Sequence, residues 1–195
     1  RSEMCIRDSG MMITKGATGS LLDRGSVVVK GPSTGASSPV GVLNQGGDFK
    51  MGRSAATSDK PTLSVSGSGG IALYASNVDS GNPSTTTISA GTIKATNNAI
   101  SVYADDTKVS FQPTRAGDAH LMAENNGLLF FQHGNLGKFD IHNYDITAEV
   151  GAKSSAFYLK ETSLSEGQAA DIGQALNKLF AGSTKDLNAV SYTHL

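Results

Sequence analysis

The chain has 195 residues, enough for one medium domain or a slice of something longer. Charged residues are only 17% of it, glycine is 23 residues, and the formal net charge is −1. With lysine and arginine scattered and no basic stripe, there is no electrostatic case for a nucleic-acid or membrane-surface partner. A chain this poor in charge and rich in Gly, Ser, Thr and Asn is compatible with disorder, but regularly repeated apolar pairs argue against that, because a disordered chain has no buried positions to repeat.

From the N-terminus, the segment 1–9 reads RSEMCIRDS, and 191–195 reads SYTHL at the other end. Both resemble translated sequencing-adapter sequence and are set aside from the fold reading, as foreign segments are. Cys5, the only cysteine, goes with them, as do Tyr192 and His194. A cysteine-free body suits a protein threaded unfolded across membranes and is equally compatible with a cytosolic one.

The region 10–162 carries an internal repeat. Four runs align: Gly70-Ile71-Ala72-Leu73-Tyr74, Ala99-Ile100-Ser101-Val102-Tyr103, Gly127-Leu128-Leu129-Phe130-Phe131 and Ser155-Ala156-Phe157-Tyr158-Leu159. Pro39-Val40-Gly41-Val42-Leu43 is a fifth. The spacing from Val40 to Ile71 is 31, then 29 to Ile100, 28 to Leu128 and 28 to Ala156. Before each run lies a short apolar strand, Val27/Val29, Leu63/Val65, Ile93/Ala95, Leu121/Ala123 or Ile146/Ala148. Between the two stands a Gly/Asn corner, with Gly69, Asn98 and Asn126 each two residues before the run. These residue types tolerate a left-handed backbone, and at one repeated position they mark a corner of fixed geometry, with stacked amide side chains as an option. A third strand follows each run: Phe49/Met51, Ile88, Val109/Phe111 and Phe139/Ile141.

Near-constant spacing with drifting loop length predicts a right-handed parallel β-helix, an all-β solenoid with coils of about 28–31 residues. Alternation within the runs predicts that Ile71 and Leu73 face inward, and that Ile71 lies over Ile100, Ile100 over Leu128 and Leu128 over Ala156. The stretches Val78–Thr87 and Pro113–Ala119 are expected to bulge as loops. An antiparallel sandwich lacks a three-strand period with matched corners, and leucine-rich repeats require a Leu ladder that is missing.

The pattern stops after Glu161. Ser163-Leu164-Ser165-Glu166 matches a capping box, and Ile172, Leu176, Leu179 and Phe180 share one helical face. An amphipathic helix is predicted over 163–182, stopped by Gly182, as an insertion or a cap. Residues 183–190 read as the start of a further coil.

Candidate chemistry is sparse. Asp105-Asp106 with Asp79 and Glu124 would make a Ca²⁺ site or the acidic cluster of a polysaccharide enzyme, against the plainer reading of a solvated turn, which the sequence favours. His120, His133 and His142 lack paired metal-ligand spacing and read as surface positions. Gly67-Ser68-Gly69-Gly70 lacks the following helix and Lys-Ser/Thr of a phosphate loop. No serine lies in a G-x-S-x-G elbow. Tyr74, Tyr103 and Phe131, continued by Leu159, form an aromatic column, either an outward ribbon for sugar rings or protein, or one tucked inward. No catalytic, cofactor-binding or metal-ligating residue is assigned and no cofactor is expected.

The units GGIALYASN, NAISVYADD and NNGLLFFQHG resemble the passenger repeats of bacterial autotransporters, especially large ones of fusobacterial type. The helix ending ALNKLFAGST, followed by LNAV, is similar to an insertion in such passengers. The resemblance covers about Val27 to Val190. It implies secretion through the protein's own C-terminal β-barrel translocator, display at the outer-membrane surface, and adhesion to a host or bacterial surface protein or glycan. It carries over no catalytic residue. The expected function is therefore a non-catalytic structural stalk or adhesin. The alternative is a fragment of a β-helical carbohydrate-active enzyme, phage tailspikes included.

Overall fold

The computed structural model describes residues 9–31, 38–54, 58–78, 83–134, 137–141, 146–160, 165–179 and 191–192. The chain winds in three-strand coils. The first holds β1 (Ser9–Thr14), β2 (Thr18–Leu22) and β3 (Ser26–Lys30), and the second holds β4 (Val40–Gln45), β5 (Asp48–Gly52) and β6 (Thr62–Ser66). The third holds β7 (Ile71–Ser76), β8 (Thr85–Ile88) and β9 (Gly91–Thr96); the fourth holds β10 (Ile100–Asp105), β11 (Lys108–Phe111) and β12 (Ala119–Glu124). The fifth holds β13 (Leu128–His133), β14 (Lys138–Ile141) and β15 (Thr147–Val150). Then come β16 (Ser155–Lys160), helix α1 (Glu166–Leu179) and β17 (Ser191–Tyr192). All pairing is parallel between successive coils, in sheets ordered β1-β4-β7-β10-β13-β16-β17, β2-β5-β8-β11-β14 and β3-β6-β9-β12-β15. This is the parallel β-helix expected from the period. It begins one coil earlier than the aligned runs, since Met11 and Met12 pair with Val42 and Leu43.

Ile71 pairs with Ile100 and Ile100 with Leu128, as the spacing predicts. Leu128, however, pairs with Ser155 and not Ala156, and Phe130 with Phe157. Likewise Leu121 pairs with Ala148 and Ala123 with Val150, two residues on from the expected match. The reason lies in how the first sheet bends. In β7, β10 and β13 the first residue is half-buried while the second and third are both buried. The ladder skips that second residue, pairing Val40 with Ile71 and then Val42 with Leu73. The chain bends there, and two consecutive side chains turn inward. Ala72, Ser101, Leu129 and Ala156 thus form an inner column, and Ile71, Ile100 and Leu128 an outer one. Strict alternation had placed Ile71 inside, which the bend overturns.

The interior is mainly apolar. Val42, Phe49, Leu63, Leu73, Ile88 and Ile93 are fully buried in the second and third coils. From the fourth coil onward aromatic rings take over, with Phe130 at 4.9 Å from Phe139, 5.5 Å from Phe157 and 5.8 Å from Phe111. Each ring buries area that no single coil could cover alone. Among the buried polar residues, Asn44 is fully satisfied: the two hydrogens of its amide are shared among Gly47 O, Thr85 O and Thr86 Oγ1, and its carbonyl accepts from Gly47 N–H.

Corners fix the register. Asn97, Asn98, Asn125, Asn126 and Lys153 all have φ between 52° and 63°, and Gly69 has φ 71°. Gly69, Asn98, Asn126 and Lys153 hold the same place, two residues before β7, β10, β13 and β16. Backbone bonds run from corner to corner, Gly69 N–H to Asn98 O and Asn98 N–H to Asn125 O, both 3.1 Å. The amides stack as well: Asn97 Nδ2 donates to Ser66 Oγ at 2.8 Å and Asn125 Nδ2 to Asn97 Oδ1 at 3.4 Å.

The opposite corner, between second and third sheets, varies. There Asp118, almost fully buried, meets Arg53 Nη2 at 3.1 Å and Lys60 Nζ at 3.3 Å. The stretch expected to loop out from Val78 to Thr87 includes β8 from Thr85 on. In α1, Ile172 is half-buried against the core and Ser165 O accepts the Ala169 N–H at 3.0 Å. Ser163, Phe180, Gly182 and 183–190 lie outside the described residues.

Candidate functional site on the outer face of the first sheet

The fourth residue of each first-sheet strand points outward, and in-register pairing stacks these side chains into a column: Met12, Leu43, Tyr74, Tyr103, Phe131 and Tyr158. All are half-buried. Ring centroids are 4.8 Å apart for Tyr74–Tyr103, 4.4 Å for Tyr103–Phe131 and 4.8 Å for Phe131–Tyr158. Those separations follow the strand spacing of about 4.8 Å. The column is therefore the outward ribbon of the two sequence alternatives. Tyr158, not Leu159, continues it, because of the one-residue register difference; Leu159 is buried. Beside it runs the half-buried aliphatic column Val40, Ile71, Ile100 and Leu128.

On the other side of the rings, Asp105 pairs across the ladder with His133. His133 Nδ1 lies 2.6 Å from Asp105 Oδ1, with the two side chains about one-quarter exposed. The Tyr74 hydroxyl donates to Asp105 Oδ2. Asp105 thus has both oxygens engaged by neighbours from the coils below and above. Burial first, and then the hydrogen bond to Asp105, push the Tyr74 hydroxyl well above its ordinary value, so it stays a protonated donor. The sign follows: folding favours the neutral phenol, so this contribution is full below the ordinary tyrosine value near 10 and falls as pH rises past it.

The acidic cluster considered from sequence does not assemble. Asp105 faces Tyr74 and His133, while Asp106 sits exposed in the following turn with φ 48°. Glu124 belongs to the third sheet, where it pairs with Lys94 at 2.8 Å. Asp79 and His142 lie outside the described residues. Among the described residues no three His, Cys, Asp or Glu side chains come close enough to hold a metal ion. His120 lies 3.2 Å from Glu149 on the third sheet, remote in the ladder from His133. The Asp105–His133 pair was missed in the sequence reading, though the 28-residue offset between aligned runs places 105 opposite 133. The signal was there; it was read for like residues only.

A shallow recess of about 470 Å³ lies on the second sheet, lined by Thr85, Thr87, Asp106, Lys108 and Gln112 among others. It has no aromatic wall. No protein-family model matches this chain, and no curated protein or solved structure matches it either.

Proposed function

We propose that the chain is part of a surface-displayed autotransporter passenger, a non-catalytic β-helical stalk whose first sheet presents an adhesive face. The observation that carries this reading is the aromatic column Tyr74–Tyr103–Phe131–Tyr158, flanked by an aliphatic column on one rigid sheet. Half-exposed aromatic side chains backed by a closed core supply contact area at little entropic cost. Partners of matching chemistry are glycans and proteins of a host or bacterial surface. Export and anchoring through a C-terminal β-barrel come with the family resemblance.

The test is binding by the purified chain on a printed glycan array and on intact cells, beside a Tyr103→Ser/Phe131→Ser variant. The wild type should bind, and the variant should lose most of that binding while its melting temperature holds within a few degrees. Equal binding by both sinks the assignment of this face.

A second reading, a β-helical carbohydrate-active enzyme, is favoured by one observation, the carboxylate of Asp105 held between Tyr74 and His133. It predicts release of reducing ends or unsaturated products from the bound glycan, abolished in Asp105→Asn. Binding without product supports the stalk.

A further inference from the structure

The corner before β13 contains the sequence Asn126-Gly127, the one Asn-Gly dipeptide in the chain. Both residues suit the corner. Asn126 takes φ 62° at an exposed position. At Gly127 a Cβ would stand 3.0 Å from Ala95 O and from Glu124 N, too tight for any side chain without a shift. The geometry that builds the register thus also places an asparagine amide before an unhindered peptide nitrogen.

We propose that Asn126-Gly127 is a site of spontaneous deamidation, held slow in the folded chain by the hydroxyl of Ser154. The Gly127 N–H donates to Ser154 Oγ at 3.1 Å in a buried position. Ser154 Oγ–H in turn is directed at Ala152 O, 3.4 Å away, which leaves an oxygen lone pair for the Gly127 N–H. In deamidation, base removes the Gly127 amide proton and the nitrogen attacks Asn126 Cγ. The new C–N bond closes a five-membered imide, and the side-chain nitrogen leaves as ammonia. Water then opens the imide. Opening at Cγ gives aspartate; opening at the main-chain carbonyl gives isoaspartate, with the chain rerouted through the side chain. The net change is amide plus water to carboxylic acid plus ammonia. Ser154 opposes the first step twice: its hydrogen bond stabilises the protonated nitrogen, and it holds that nitrogen in the corner.

The product matters to the stack. Isoaspartate lengthens the main chain by one carbon between two corner bonds, Asn98 N–H to Asn125 O at 3.1 Å and Leu128 N–H to Ala99 O at 2.9 Å. Either product adds one negative charge to a chain of net charge −1.

The test is incubation of wild type and Ser154→Ala at mildly alkaline pH, with peptide mapping by mass spectrometry and isoaspartate quantitation. A urea-unfolded wild-type sample gives the unprotected rate. Expected are slow conversion at Asn126 in the folded wild type, fast conversion in urea, and an acceleration of about two- to tenfold in Ser154→Ala, the effect of one hydrogen bond. Amide hydrogen exchange separates this from general loosening. Under the proposal Gly127 speeds up in Ser154→Ala while Asn98 and Leu128 keep their protection. If Ser154→Ala converts no faster than wild type, the gate is refuted. It is refuted equally if all corner amides lose protection together. If the urea-unfolded chain does not convert at Asn126, the site itself is refuted.

Discussion

Two corners of the same coil obey different rules. From the third sheet to the first, the last four turns take three or four residues, with a left-handed residue always two places before the next strand. From the second sheet to the third, the connections 53–61, 89–90 and 112–118 span nine, two and seven residues. Both corners bond coil to coil through the backbone, as in Gly69 N–H to Asn98 O at 3.1 Å and Gly91 N–H to Asp118 O at 2.8 Å; the first adds stacked amides around a left-handed residue, and the second adds one buried carboxylate. In the first corner the left-handed residue stays two places before the strand, so a residue inserted after it shifts the register of that strand. The second corner keeps no such fixed position, and the three connections named run from two to nine residues.

The sharpest way to break this comparison is to insert a single glycine into each kind of corner. Between Asn98 and Ala99, the insertion moves the side chains of β10 to opposite faces, sending Val102 and Ala104 outward. Cooperative thermal unfolding should be lost, as read by circular dichroism. Between Thr114 and Arg115, both exposed, the same insertion lengthens a loop and should cost only a few tenths of a kcal/mol. Similar damage at both places would show that the corners are equivalent.

A smaller effect is expected for Asp118→Ala, which strips the variable corner of its tie to Arg53 and Lys60. Charged hydrogen bonds of this kind carry about 1.5–3 kcal/mol each, and the partial exposure of Lys60 favours the low end. Urea titration should show that loss in midpoint with an unchanged slope. Smallest are the left-handed positions themselves. Asn98→Ala should destabilise by about 1–2 kcal/mol while Asn98→Gly stays near neutral. At Lys153, where a long side chain holds the left-handed conformation with φ 61°, Lys153→Asn should gain about 0.5–1 kcal/mol. A loss at Lys153→Asn would mean that this side chain contributes contacts that outweigh its backbone strain.

The period and the corners were legible because both repeat: Gly69, Asn98 and Asn126 announce a left-handed turn at one place, and the structure adds Lys153. Lysine gave no such signal, which is why the last corner went unread. The last register slipped for a related reason. Ala156 looked like the apolar residue that opens each run, but it belongs to the inner column of Ala72, Ser101 and Leu129, created by a backbone bend that residue types alone do not mark. The Tyr74–Asp105–His133 group was hidden because unlike residues stack there, and Asp118 because its partners lie 65 and 58 positions away, set by loop paths and not by the period.

That last residue changes how the solenoid should come apart. Stacked repeats touch only their neighbours, so their cooperativity resembles a row of dominoes, each coupled to the next. Asp118 leaves the fourth coil and reaches Arg53 and Lys60 of the second, and Lys60 Nζ also donates to Gly117 O at 2.7 Å. It passes the third coil where that coil's corner shrinks to Ser89 and Ala90. Fraying that enters from either end therefore meets a block of three coils that must open together. Its correlation length exceeds the single-coil spacing, and the middle of the stack should be the last part to exchange its amide hydrogens.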